Sequence, residues 1–213
     1  MEQFVETLIW IHAGLGGLAL LAGSIALISK KGKYLHRRSG RVFYWSMLIS
    51  AILALVISRL PGHISPFLFA IGLFTTYLLL TGIRALRLKK QNVSLNIDRL
   101  ISRLMFGIGM LMVYGGLLGG IPLLGPNTNI LMPIFGVLAI FLAVGDLRSF
   151  SKPDSLRKSW LRLHLTKMTG AYIAAVTAFI VVNQAIPGIL GWILPSVVGT
   201  IFIVLSIRKL KLN

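Results

Sequence analysis

An apolar run near the first residue limits what this chain can fold into. Between Phe4 and Ile28 only two side chains are ionisable, Glu6 near the start of the run and His12 within it. An α-helix of that length crosses the roughly 30 Å hydrocarbon core of a bilayer. The six Lys and Arg residues that follow, within residues 30–41, are typical of a loop beside a membrane surface. The pattern predicts an integral membrane protein.

The composition indicates the same class. Of the 213 residues, 56% are hydrophobic and 13% are charged, whereas a soluble domain has about 25% charged residues. The longest polar segment, Asp146 to Lys158, is too short to bury a core of its own. We therefore expect residues 1–213 to form a single transmembrane helical domain. The chain has no cysteine, which excludes disulfides and thiolate metal sites.

Apolar runs close to spanning length recur along the whole chain. They predict an all-α integral membrane protein, a bundle of seven transmembrane helices arranged as three helical hairpins and a seventh helix. The fifth run is the shortest, and without it the number of spans would be six. The predicted spans are Phe4–Ile28, Val42–Ile57, Phe67–Leu88, Leu104–Leu124, Ile130–Val144, Leu163–Val182 and Ile189–Ile207.

The positive charges predict how this bundle is oriented. With the N-terminus outside, residues 30–41, 84–103 and 146–167 and the C-terminal tail lie in the cytoplasm, and these segments hold 6, 6, 6 and 3 cations. Only Arg59 of the 22 Lys and Arg residues remains on the far side. Because cytoplasmic loops carry such an excess, the net charge of +17 does not require nucleic acid as a partner. We expect a plasma-membrane protein with a cytoplasmic C-terminus and anionic lipid head groups as partners.

His12 is the first candidate for a functional residue. It lies within the first predicted span, and ionisable groups inside a membrane usually face a bundle interior or a cavity and have a partner. The alternative is structural, because a neutral imidazole can hydrogen-bond a hydroxyl or carbonyl group of a neighbouring helix. The sequence leaves both interpretations open.

Basic residues at the starts of predicted helices suggest a binding site for an anion. His36, Arg37 and Arg41 precede the second span, and His164 and Lys167 open the sixth span at the same membrane face. Helix N-termini favour anions, and guanidinium groups bind phosphate with two hydrogen bonds. These five residues predict a site for an anionic lipid-like or phosphate-bearing ligand. The alternative is that the cations attract lipid head groups without a specific pocket.

Part of this sequence resembles a known family. The residues concerned are His12 with the glycine-rich segment after it, Lys31-Gly32, His36-Arg37, Gly40-Arg41 and Tyr44. They resemble the bacterial predicted membrane proteins described as domain of unknown function 2306, and residues 164–172 resemble members of that group as well. The resemblance implies a multi-span helical protein of a bacterial inner membrane. It implies no activity, and it directs attention to His12, His36 and Arg37.

Two other functions use some of the same residues. Haem b in a membrane is held by paired histidines, and His36 and His164 are predicted at the same face, with His12 in a second, doubtful site. A small-molecule transporter needs a polar pathway, for which the spans offer His12 and hydroxyl groups such as those of Thr75 and Thr177. No span contains the paired ligands of a zinc enzyme, and no complete catalytic motif is present, so an enzymatic activity is neither predicted nor excluded.

Glycines in the fourth span predict a close contact between helices. Gly115 with Gly119, and Gly116 with Gly120, have the spacing at which small residues let two membrane helices approach each other. The contact lies within one chain or between two copies in a homo-oligomer. The methionines of the same span are predicted to be core residues and not ligands.

Overall fold

The computed structural model describes residues 2–90, 93–118 and 130–210. These residues form helices joined by turns and contain no strand. The helices are α1 (Glu2–Ile28), α2 (Tyr34–Ile57), α3 (Pro66–Ala85), α4 (Asn96–Leu117), α5 (Leu131–Ser149), α6 (Pro153–Lys158), α7 (Trp160–Val182) and α8 (Leu190–Lys209). The turn predicted between the fourth and fifth spans lies outside the described residues.

Seven of these helices, all except α6, are long and apolar enough to cross a membrane. This confirms the predicted all-α membrane protein with seven spans. The fifth span, which was the shortest in the sequence, is α5 with 19 residues, a length of about 28 Å at the usual helical rise. The short α6 connects α5 to α7 at one end of the bundle.

Several helices extend beyond the apolar runs that predicted them. The second span begins at Tyr34 and not at Val42, and the fifth ends at Ser149 and not at Val144. The additional turns carry polar and charged side chains that have partners on neighbouring helices or reach the surface. These extensions place His36 and Asp146 on helices, whereas an apolar run by itself ends where the first charges begin.

Seven alternating spans bring all of the basic loops to the same end of the bundle. At this end α1, α3, α5 and α8 finish, and α2, α4 and α7 begin. We call it the basic end, and it includes residues 29–38, 84–90, 93–99, 148–164 and 208–210. The other end, with residues 58–66 and 182–190, is called the opposite end.

The helices pack in two groups. We call α1, α2, α3, α7 and α8 the body, in which α1 packs on α2 and α3 lies between α2 and α7. The second group is the α4–α5 hairpin, which contacts the body chiefly through α3. The three hairpins predicted from the loops followed chain order, whereas α3 packs more closely on α7 than on α4. One cause is that α3 has a glycine at this contact. Gly82 lies directly against Met168 and Lys167 of α7.

Two glycines set the distance between α4 and α5. A methyl group added at Gly136 would lie 2.7 Å from the carbonyl oxygen of Gly109, and one added at Gly109 would lie 2.9 Å from that of Gly136. Neither position has room for a side chain, so the two backbones are in direct contact. Gly116 likewise lies against the ring of Pro133. Of the glycines predicted at a helix contact, Gly115 is buried, while Gly119 and Gly120 lie outside the described residues.

The largest hydrophobic core cluster extends from α1 and α2 through α3 to the α4–α5 hairpin. Leu79 of α3 and Ala139 of α5 are fully buried there, together with Met105 of α4 and Ala171 of α7. Met112 is also buried, as predicted for a core residue, and it packs with Met132 closer to the opposite end. The prediction was wrong for Met110 of the same helix, which is half exposed. The aliphatic side chains of α1 and α8 are mostly exposed on the outside of the bundle, where a membrane would contact them.

Candidate functional site

A buried ion pair joins α7 to α5. Lys167 Nζ lies 2.6 Å from Asp146 Oδ2, and the two side chains are only 8% and 9% exposed. The hydroxyl group of Tyr77 on α3 donates a hydrogen bond to the same carboxylate oxygen. The ammonium group of Lys167 also lies 4.9 Å from the centre of the Tyr77 ring, which is within range of a cation–π interaction. One carboxylate oxygen therefore accepts from two helices at once.

A fourth helix completes this cluster. Ser102 on α4 places its Oγ 3.4 Å from the hydroxyl oxygen of Tyr77. Since the hydrogen of Tyr77 is directed to Asp146, Ser102 acts as the donor to Tyr77. We call Tyr77, Ser102, Asp146 and Lys167 the interior cluster. Ion pairs are costly to bury, and charged groups inside membrane bundles usually mark a functional pathway, so this cluster is the first candidate site.

A second ion pair lies nearer the basic end. Arg84 Nε and Nη2 donate to the two carboxylate oxygens of Asp98 at 2.7 and 2.8 Å. The two parallel hydrogen bonds make this a strong, well-oriented pair. Arg84 stands in the last turn of α3 and Asp98 in the first turn of α4. Each charge is therefore at the helix end whose dipole favours it.

Both ion pairs connect the α4–α5 hairpin to the body. The hairpin contributes the two carboxylates, Asp98 and Asp146, and the body contributes the two cations, Arg84 and Lys167. Tyr77 and Ser102 meet across the same boundary. The hairpin is thus held to the body by polar groups as well as by the hydrophobic core. These residues form a polar seam that runs from the basic end into the interior.

His164 and His36 each cap the C-terminal end of a neighbouring helix. His164 Nδ1 lies 2.8 Å from the carbonyl oxygen of Gly82 in the last turn of α3. His36 Nδ1 lies 3.0 Å from that of Ala26 in the last turn of α1. Carbonyl groups in a last turn have no partner within their own helix. A carbonyl oxygen can only accept, so Nδ1 carries the hydrogen in both residues, and Nε2 of the neutral ring keeps its lone pair.

Both histidines lie at the basic end of the bundle, where they bond the last turns of α1 and α3. His164 precedes Lys167 by three residues on α7, so the two side chains share a helix face. The haem hypothesis paired these same histidines, and it stays a prediction. Within the described ranges, no group of three or more His, Cys, Asp or Glu residues could hold a metal ion.

Lys31 also binds the C-terminal end of α1. Its Nζ donates to the carbonyl oxygens of Ala26 and Leu27 and lies 5.5 Å from the centre of the Phe202 ring on α8. Burial in this position lowers the pKa of Lys31 below that of an exposed lysine. The turn between α1 and α2 is thus fixed by its own basic residue.

The arginines at the start of α2 remain at the surface. Arg37 and Arg41 are exposed, and Arg41 Nε makes only a long contact, 3.4 Å, with the carbonyl oxygen of Arg37. Arg38, also exposed, lies over the ring of Tyr34. None of the three forms an ion pair with a described acidic residue. The five residues predicted to bind an anion are therefore at different depths, with Arg37 and Arg41 outermost and Lys167 innermost.

His12 joins α1 to α2 by hydrogen bonds. Its Nδ1 lies 2.9 Å from both the carbonyl oxygen and the Oγ of Ser50, and that Oγ donates to the carbonyl oxygen of His12 at 3.0 Å. This is the geometry of the structural interpretation, in which the imidazole joins two helices. His63 lies exposed in the turn between α2 and α3.

The apolar runs did not predict most of the interior cluster. Asp146 was assigned to a loop, and Tyr77 and Ser102 were not singled out. A signal was nevertheless present, because the chain has only five acidic residues and two of them, Asp98 and Asp146, lie within a turn or two of an apolar run. An acid at that position either reaches water or needs a buried partner. The partner itself could not be identified, since Lys167 is 21 residues away from Asp146.

The first three helices of the body match a known protein family. Residues 9–96 match a family model described as "Predicted membrane protein (DUF2306)". This match confirms the resemblance seen in the sequence and extends it from the first two helices through α3 to the first residue of α4. It includes Tyr77, Arg84, His12 and His36 and excludes Asp146. No curated protein and no solved structure matches the chain. The chain is a multi-pass membrane protein similar to a family of unknown function.

Proposed function

We propose that the basic end of this membrane protein binds an anionic, phosphate-bearing ligand through Arg37 and Arg41. The observation that carries the proposal is the start of α2. There the residue before the helix, Lys33, makes no side-chain hydrogen bond to the first turn, and two exposed arginines follow one turn apart. Free backbone N–H groups and guanidinium groups together favour a phosphate.

The charge balance of the basic end supports the same proposal. The described acidic residues at this end are already engaged, Asp98 with Arg84, Asp146 with Lys167, and Asp154 with Arg157 at 4.0 Å. Most of the basic residues there consequently have no acid of this chain to neutralise them. Anionic head groups supply about 1 kcal/mol per neighbouring cation. The ligand is therefore a phosphate group of a membrane lipid or of a soluble compound at the membrane surface.

Replacing Arg37 and Arg41 together by glutamine should weaken ligand binding about 30-fold, the equivalent of about 2 kcal/mol. The measurement is the affinity of the purified protein for a fluorescent phosphatidylglycerol in detergent micelles. The matched control is Arg208→Gln with Lys209→Gln, which removes the same charge from exposed positions at the end of α8. The control should keep most of the affinity, because a helix C-terminus does not attract anions.

Comparing the two variants distinguishes a specific phosphate site from a general attraction to the positive surface. Equal losses in both variants would reduce the basic end to an unspecific positive surface and contradict the proposal. A competition arm identifies the source of the phosphate. Displacement of the fluorescent lipid by inorganic phosphate or glycerol phosphate would indicate a soluble ligand, whereas displacement only by other anionic phospholipids would indicate a membrane lipid.

A further inference from the structure

We propose that Asp146 and Lys167 form an exchange site, in which a monovalent inorganic cation binds Asp146 while Lys167 releases a proton towards the basic end. This activity is separate from ligand binding at Arg37 and Arg41. It assigns a chemical role to the interior cluster, which the proposed function leaves unused.

The interior cluster brings together oxygen atoms that could bind a cation. The carboxylate of Asp146, the hydroxyl of Tyr77 and the hydroxyl of Ser102 converge from α5, α3 and α4. Hard cations prefer such oxygen ligands. The ammonium group of Lys167 now lies beside them, 2.6 Å from Asp146 Oδ2. It is a cation on a flexible stem that can withdraw from the carboxylate, and a small inorganic cation can then take its place with water as further ligands.

Polar side chains on α7 and α2 offer the proton a route from Lys167 towards the basic end. His164 lies one turn from Lys167 on the same face of α7 and nearer the basic end, and its Nε2 is free to accept a proton because Nδ1 donates to Gly82. His36 lies at the same end of the bundle, where its Nδ1 donates to the Ala26 carbonyl oxygen in the last turn of α1. The other charged groups beside this route include Arg84 and Asp98, which neutralise each other, and Lys31, whose ammonium group donates to the same Ala26 carbonyl oxygen as His36. The polar groups therefore continue from the interior cluster to the surface.

The exchange keeps the interior electrically balanced. One N–H bond of Lys167 breaks, its electron pair stays on the nitrogen, and the proton bonds to Nε2 of His164 before it passes to water. The entering cation replaces the lost positive charge beside Asp146. A buried carboxylate that lost its only cation would be destabilised by several kcal/mol. Release of the proton is therefore coupled to entry of the cation.

The substitution Lys167→Arg distinguishes an exchange site from a purely structural ion pair. The guanidinium group keeps the positive charge and can bond to Asp146, but it does not lose a proton in proteins. A structural ion pair tolerates this substitution, whereas an exchange site does not. The exposed Lys89, also at the basic end, provides the matched control Lys89→Arg.

The experiment measures protons released by the detergent-purified full-length protein. The protein is placed in a weakly buffered choline chloride solution with a pH indicator, and NaCl or KCl is added. Release of one proton per protein molecule is expected from the unchanged protein and from Lys89→Arg. No release is expected from Lys167→Arg, or from any protein when more choline chloride is added. The melting temperature of each variant shows that it is folded.

Two results would overturn the proposal. One is the absence of proton release from the unchanged protein with either cation. The other is equal release from folded Lys167→Arg, since the proton would then come from another group. The variant His164→Ala tests the route and should release the same amount more slowly; release at the unchanged rate would overturn the assignment of His164. Loss of lipid binding in the Arg37 and Arg41 variant leaves all of these results unaffected, so the two proposals fail separately.

Discussion

Asp146→Asn should lower the free energy of unfolding by about 3 to 5 kcal/mol, the usual effect of removing one partner of a buried ion pair. The amide can still accept from Tyr77, but Lys167 then carries a charge without a counterion in a place that is almost closed to water. Thermal unfolding in detergent, followed by tryptophan fluorescence, should show a melting temperature lower by about 6 to 20 °C.

Two control variants separate burial from charge. Asp154→Asn removes an exposed acid whose contact with Arg157 is 4.0 Å long, and its effect should stay within about 0.5 kcal/mol. Adding Lys167→Met to Asp146→Asn removes the unpaired cation and should restore most of the stability, because no charge is then buried without a partner and the amide at position 146 can still accept from Tyr77. If Asp146→Asn melted at a temperature as high as that of Asp154→Asn, the buried ion pair between Asp146 and Lys167 would not stabilise the fold as described.

Gly136→Leu should be the most damaging of the apolar substitutions, with a loss of about 3 kcal/mol in the free energy of unfolding, the upper end of the usual cost of overpacking. A side chain at this position would meet backbone atoms, the carbonyl oxygen of Gly109 at 2.7 Å and the amide nitrogen of Val113 at 2.9 Å. Backbone atoms cannot turn away as a flexible side chain can, so α4 and α5 would have to separate. The measurement is the same thermal unfolding, together with the yield of folded protein.

The matched control is Gly107→Leu on α4. Apart from its chain neighbours and the backbone of its own helix, nothing lies within 4 Å of a methyl group added at Gly107, and the position is exposed. Leucine is a better helix former than glycine by roughly 1 kcal/mol, so this variant should unfold at the same temperature or slightly higher. If both leucine variants lowered the stability alike, the close contact between Gly136 and Gly109 would not exist.

The sequence was sufficient to predict the number of spans. An apolar run must lie either across a membrane or in the core of a soluble domain. The sequence offers too few polar segments to shield seven such runs from water, so a membrane is the remaining environment. The family resemblance could be recognised from short segments around His36 and Gly40. Both inferences depend on features that are local in the chain.

The interior cluster could not be predicted in the same way, because it depends on distant residues. Tyr77 and Asp146 are 69 positions apart, and His164 caps a carbonyl group 82 positions away. Charged side chains end an apolar run whether or not they have a buried partner. For this reason Asp146 was placed in a loop, and Lys167 was grouped with surface arginines although the structure buries it.

The side of the membrane that the basic end faces decides which ligands it can meet. Anionic lipids are concentrated in the cytoplasmic leaflet of many membranes, and the excess of cations predicts that the basic end lies there. The native chain has no cysteine, so a single introduced thiol can report its own position. Ile64 in the turn between α2 and α3, and Ser94 before α4, are both exposed and lie at opposite ends of the bundle.

The most direct measurement is labelling of Ile64→Cys and Ser94→Cys with a membrane-impermeant maleimide. In intact cells the label should reach Ile64→Cys and not Ser94→Cys, and after permeabilisation it should reach both. Labelling of Ser94→Cys alone in intact cells would mean that the basic end faces outwards. Labelling of both thiols in intact cells would mean that α3 does not cross the membrane, which would contradict the seven-span bundle itself.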